Sequence, residues 1–194
     1  MNKPLFYFFD PLCGWCYGAL PKLQKIAENR PLVLLPTGLF ADSGRTMNAE
    51  FADYAWQNDQ RIAQLTGQPF SQAYREQVLQ RATAFDSKNL ITALTAVQQT
   101  APEQELTALT ALQRARYVDG KDNTQWTVIR DILRDLGLTA AVDLLDSPSL
   151  AAQTAERIRQ ARQLFQQLGL QGVPNLLEQS ENGWRKVPSE QLFG

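Results

Sequence analysis

The chain has 194 residues, 44% of them apolar, and its 19 basic and 20 acidic side chains leave a net charge of −1, enough length for a full core without disulfide or metal support. Histidine is absent and only two cysteines occur, which excludes Ser-His-Asp triads, Cys-His nucleophile pairs and metal sites built on imidazole or on four thiolates. A pI near 5.5 argues against a nucleic-acid partner.

Leu5-Phe6-Tyr7-Phe8-Phe9 is an unbroken apolar run and reads as a central strand covered on both faces. It ends at Asp10, far too short for a signal core or a membrane span. The cytosol, where thiols stay reduced, is therefore the expected compartment, with no membrane partner; a mature secreted chain whose signal was cut away is the alternative, since it would read the same. From Cys13 the pattern turns helical, with Trp15, Ala19, Leu23 and Ile26 on one side and Pro21 inside as an expected kink. Leu32-Val33-Leu34-Leu35 is a second strand, expected to lie parallel to the first through a right-handed crossover.

Helical spacing dominates the next stretch. Phe51, Ala55, Ile62 and Leu65 mark one helix, and Tyr74, Val78 and Ala82 another. Ser87 reads as the N-cap of a helix facing inward through Leu90, Ile91, Leu94 and Val97. A helix over 103–118 follows, then one carrying Trp126, Ile129, Leu133 and Leu136, and a last long one from Leu150 to Leu168. Leu176-Leu177 and Trp184-Arg185-Lys186-Val187 predict an antiparallel hairpin about a turn at Ser180 to Gly183. Ser189-Glu190-Gln191 opens a further helix that Gly194 cuts short. The expected fold is α/β, with an α/β core in residues 1–44 and 170–194 and an all-helical insertion, 45–169, between them.

The chemistry centres on Cys13-Gly14-Trp15-Cys16, placed where a strand gives way to a helix. Free N–H groups and the positive dipole end at a helix start favour a thiolate at Cys13. Cys16 lies one turn later, buried yet within reach, which suits two-step thiol–disulfide exchange. A zinc site would need two more ligands, and a structural disulfide across so short a loop would constrain the unfolded chain very little. Gly172-Val173-Pro174, just before the late strand, is a typical setting for a cis peptide. Asp10 is a candidate proton relay for Cys16; its plainer reading is an Asx turn ahead of Pro11. Trp15 is either a substrate contact or a cover for the helix start.

These segments resemble the thioredoxin superfamily, and within it the DsbA-like proteins, over nearly the whole length. Phe8-Phe9-Asp10-Pro11-Leu12-Cys13-Gly14-Trp15-Cys16-Tyr17-Gly18 is similar to the family's active-site segment. Pro21 falls where thioredoxin-like proteins carry a helix-kinking proline. Arg114-Ala115-Arg116-Tyr117-Val118-Asp119-Gly120-Lys121-Asp122 resembles the end of the third helix of the insertion, and Gly172-Val173-Pro174 the cis-proline loop. The chain departs from the pattern in two places: Tyr7 stands where many members carry a buried acid, and Gly14-Trp15 lacks the His of strongly oxidising members.

The resemblance implies a thioredoxin-like fold with a helical cap and oxidation, reduction or isomerisation of protein disulfides. Cys13 would form the mixed disulfide and Cys16 resolve it, while Val173 and Pro174 would meet an extended substrate beside Trp15. No metal or organic cofactor is implied; the redox partner is open, with glutathione a candidate. Without a charged or titrating group between the cysteines, reductase or isomerase activity is expected over oxidase activity. The alternatives are a glutathione-dependent enzyme of the kappa transferase or 2-hydroxychromene-2-carboxylate isomerase type, against which the second cysteine argues, and a peptide-binding adaptor with no redox role.

Overall fold

The computed structural model describes residues 3–181 and 183–193. Four strands, β1 (Leu5–Phe9), β2 (Leu32–Pro36), β3 (Asn175–Ser180) and β4 (Gly183–Lys186), form one mixed sheet in the order β2-β1-β3-β4. β1 runs parallel to β2 and antiparallel to β3, with Tyr7 opposite both Leu34 and Leu176. β3 and β4 form the expected antiparallel hairpin; the turn between them includes Asn182, which lies outside the described residues. Tyr7, Phe8 and Phe9 have no exposed surface, as an apolar run in the middle of a sheet should.

Helix α1 (Gly14–Ala27) follows β1, and Cys13 is its N-cap, so the helix starts one residue later than expected. Pro21 lies inside it and cannot donate to the Tyr17 carbonyl four residues back. Gln68 Nε2 takes that place, donating to the Tyr17 carbonyl at 3.0 Å. The insertion thus repairs the gap that the proline opens in the core helix.

Helices α2 (Ala49–Thr66), α3 (Gln72–Tyr74), α4 (Lys88–Thr100), α5 (Glu105–Tyr117), α6 (Trp126–Asp135), α7 (Thr139–Leu144) and α8 (Leu150–Gln167) lie between β2 and β3, and the short α9 (Glu190–Phe193) packs on α1. Several expectations need correction. The helix through Tyr74 and Val78 widens into a π turn over Arg75–Leu79, leaving Ala82 in a turn. A 3₁₀ turn at Pro102–Gln104 precedes α5. Leu65, Trp126 and Leu136 sit at the ends of inward stripes and are exposed. α7 has no counterpart in the sequence reading, because six residues are too few to establish a period.

α1 and α2 approach through Gly14 and Gly18. A side chain on Gly18 would meet Ile62 Cγ2 at 2.7 Å, so the two glycines form a seam into which α2 settles. Ser87 is the N-cap residue of α4, but its hydroxyl does not cap. Asp86 Oδ1 accepts the Lys88 N–H at 2.8 Å instead, and the Ser87 hydroxyl donates to Asp10.

Candidate active site

The loop between β1 and α1 is built by buried hydrogen bonds from several elements. Asp10, fully buried, accepts the Leu12 N–H at 2.9 Å, the Phe40 N–H at 3.0 Å and the Ser87 hydroxyl at 2.8 Å. The first of these is the Asx turn expected ahead of Pro11. From α5, Gln113 donates to the Pro11 carbonyl at 3.0 Å and the Tyr117 hydroxyl to the Leu12 carbonyl at 2.9 Å. Burial raises the Asp10 carboxyl above its usual range, and its three donors partly offset that.

Cys13 keeps 8% of its surface and Cys16 only 1%, so any reagent meets Cys13 first. The Cys13 thiol donates to the Val173 carbonyl at 3.7 Å, across a Val173-Pro174 peptide that is cis. Asn175 Nδ2 donates to the Gly172 carbonyl at 2.7 Å and fastens that loop. Burial pushes the Cys16 thiol well above its ordinary value, and the neighbouring Cys13 adds to the effect. The Tyr7 hydroxyl donates to the Cys16 carbonyl at 3.4 Å. Trp15 is half-buried, its ring edge-on to Phe193 at 5.3 Å.

A family model of the DsbA-like thioredoxin domain matches residues 5–192. The chain belongs to that family. It is the thioredoxin-like fold of DsbA-type thiol–disulfide oxidoreductases, with a mixed four-stranded sheet and many helices. No curated protein matches it. Among solved structures it is similar to the cytosolic disulfide reductase DsbM of Pseudomonas aeruginosa, at 28% identity and a TM-score of 0.89, covering 98% of this chain and 92% of that one. The same protein solved with glutathione gives 29%, 0.87, 98% and 92%. A 2-hydroxychromene-2-carboxylate isomerase shares the fold alone, at 18% identity and a TM-score of 0.58, covering 89% and 84%.

The structure therefore brings Cys13, Cys16, Val173 and Pro174 to one place, with Asp10 in the wall beneath and Trp15 at the side. Among the described residues no group of three acidic or thiol side chains is placed to hold a metal ion, and no helix is long and apolar enough to cross a membrane.

Sequence reasoning missed Asp59. This buried carboxylate on α2 sits against Gly14 and accepts the Tyr74 hydroxyl at 2.9 Å. Tyr74 and Tyr117 pack edge to face, and the buried Arg116 guanidinium lies 5.6 Å from the Tyr74 ring. The signal was present: position 59 falls on the same face of α2 as Ala52 and Ile62, where a charge is out of place.

Burial raises the Asp59 carboxyl from 3.8 to about 7, against the Tyr74 hydrogen bond and the Arg116 charge. The folded protein thus holds this proton more tightly than the unfolded chain. The corresponding stability is complete below about pH 4 and is lost as pH rises toward 7. The wild type should lose about 2 kcal/mol from this group between pH 5 and pH 7.5. Urea titrations at both pH values check it: Asp59→Asn should remove this part of the slope, and an unchanged slope would refute the assignment.

Proposed function

We propose that the protein reduces disulfides of protein substrates by dithiol exchange and is itself re-reduced by glutathione. The observation that carries this reading is the placement of the Cys13 sulfur, at the start of α1 and 3.7 Å from the Val173 carbonyl, with Cys16 buried behind it. Similarity to a cytosolic disulfide reductase, which has also been solved with glutathione, supports the direction and the partner.

In the first step the Cys13 thiolate attacks one sulfur of a substrate disulfide, whose S–S bond breaks and releases the other sulfur as a thiolate. Cys16 then gives up its proton and attacks Cys13 in the mixed disulfide. A Cys13–Cys16 disulfide forms and the substrate leaves as a dithiol, carrying two electrons more than it brought. The Cys16 thiol, raised by burial, ionises only as it attacks, with Asp10 the nearby carboxylate for its proton. An extended substrate pairs with the Val173 backbone and rests on Trp15. Two glutathione thiols restore the dithiol and leave as glutathione disulfide. No metal or organic cofactor takes part.

Gly14 and Trp15 place no positive group beside Cys13. The potential should therefore lie between about −270 mV and about −180 mV, the values of thioredoxin and disulfide isomerase. Equilibration in glutathione buffers, followed by Trp15 fluorescence, measures it. A value above about −140 mV would point to an oxidase instead.

A further inference from the structure

We propose that Asp59 is a positioning residue for this exchange: from the insertion, its carboxylate is set against Gly14, opposes negative charge at Cys13 and keeps the pair reducing. The inference rests on the dithiol reading above and adds to it a residue outside the motif.

The geometry is specific. Gly14 is the first residue of α1, so its N–H is one of the unsatisfied donors that give a helix start its positive potential. A Cβ at position 14 would lie 2.5 Å from Asp59 Oδ1, so the carboxylate reaches the space directly over the residue next to Cys13. Glycine at 14 is what admits it. The other oxygen, Oδ2, is fixed by the Tyr74 hydroxyl at 2.9 Å, which leaves Oδ1 turned toward the motif.

Among the described residues, the charged and titratable groups facing Asp59 are few. Tyr74 comes from α3, and Arg116 and Tyr117 from α5. On the α1 side the neighbour is Gly14, next to Cys13. The Tyr117 hydroxyl, bonded to the Leu12 carbonyl, is disfavoured as an anion first by burial, then by Tyr74, and also by Asp59 and Cys13, so Asp59 and Cys13 face the same neighbour. Arg116 favours the carboxylate, but burial outweighs it.

A negative charge at a helix start competes with a thiolate for the same potential. Destabilising the Cys13 thiolate destabilises the reduced protein relative to its disulfide, which makes the dithiol a better electron donor. Because Asp59 ionises near neutrality, this bias grows as pH rises.

The test compares wild type, Asp59→Asn and Tyr74→Phe, each equilibrated with glutathione buffers from pH 5.5 to pH 8 and quantified by thiol labelling and mass spectrometry. At pH 8, the ratio of reduced to oxidised protein should be about tenfold higher in Asp59→Asn than in wild type at the same glutathione buffer, the factor that one pK unit represents; at pH 5.5 the two should coincide. Tyr74→Phe removes the hydroxyl that favours the carboxylate, so its curve should follow wild type only after a shift to higher pH. If wild type exchanges with glutathione and both variants reproduce its curve, Asp59 has no such role. If wild type does not equilibrate with glutathione at all, the exchange reading falls as well.

Discussion

Cys13→Ser should bring insulin reduction to background, and Cys16→Ser should trap the protein on its substrates. The asymmetry follows from accessibility: Cys13 keeps a small window to solvent beside the Val173 carbonyl, while Cys16 is sealed behind it. Serine at 13 removes the attacking sulfur, and no other thiol exists to replace it, since these are the only two cysteines. Serine at 16 leaves the first attack intact but removes resolution, so mixed disulfides accumulate until an external thiol releases them. Non-reducing gels of the Cys16→Ser protein incubated with an oxidised substrate check this directly. Equal alkylation rates for the two thiols in the reduced wild type would contradict the assignment.

Gly120→Ala should cost about 3–4 kcal/mol, the largest single-residue loss of stability expected away from the core. Gly120 follows α5 with a φ of 66°, in the region that favours glycine, and a Cβ there would meet the backbone of Ala73 at 2.7 Å. The left-handed conformation alone costs alanine about 1–2 kcal/mol, and the clash adds about as much again because backbone, not a flexible side chain, must yield. For a protein of this size the melting temperature should fall by about 10 °C. Thermal unfolding followed by circular dichroism measures it, and a fall below about 3 °C would show that the turn adapts. The displaced segment includes Tyr74, whose hydroxyl holds Asp59, so exchange in glutathione buffers should also change.

The parts of the site legible in the sequence were those whose signal is local. The all-apolar β1, the break at Asp10-Pro11 and the return of helical spacing at Cys13 each sit within a few residues, and the cis Val173-Pro174 bond has its own dipeptide signature. What stayed hidden depends on contacts between distant segments. Ser87 looked like a cap because a serine before a helix usually caps it, yet a buried carboxylate 77 residues away claims its hydroxyl. Tyr74 and Arg116 carry no local mark of a shared network. Asp59 did carry one, a charge on an inward face, but only the fold shows that the face meets Gly14.

The hydrogen bonds around the first cysteine also bear on how portable the motif is. The carbonyls of Pro11 and Leu12, just ahead of Cys13, are held by Gln113 and Tyr117, 102 and 105 residues along the chain, and the carbonyl of Tyr17, just after Cys16, is held by Gln68. Four letters transplanted onto a bare thioredoxin core would arrive without these anchors, and the backbone on either side of the dithiol would settle wherever its new host allowed. The backbone on either side of the dithiol is positioned by the helical segment between β2 and β3 as much as by Cys-Gly-Trp-Cys, so mutational drift on α5, far from the motif in sequence, acts on the same few atoms as drift within the motif itself.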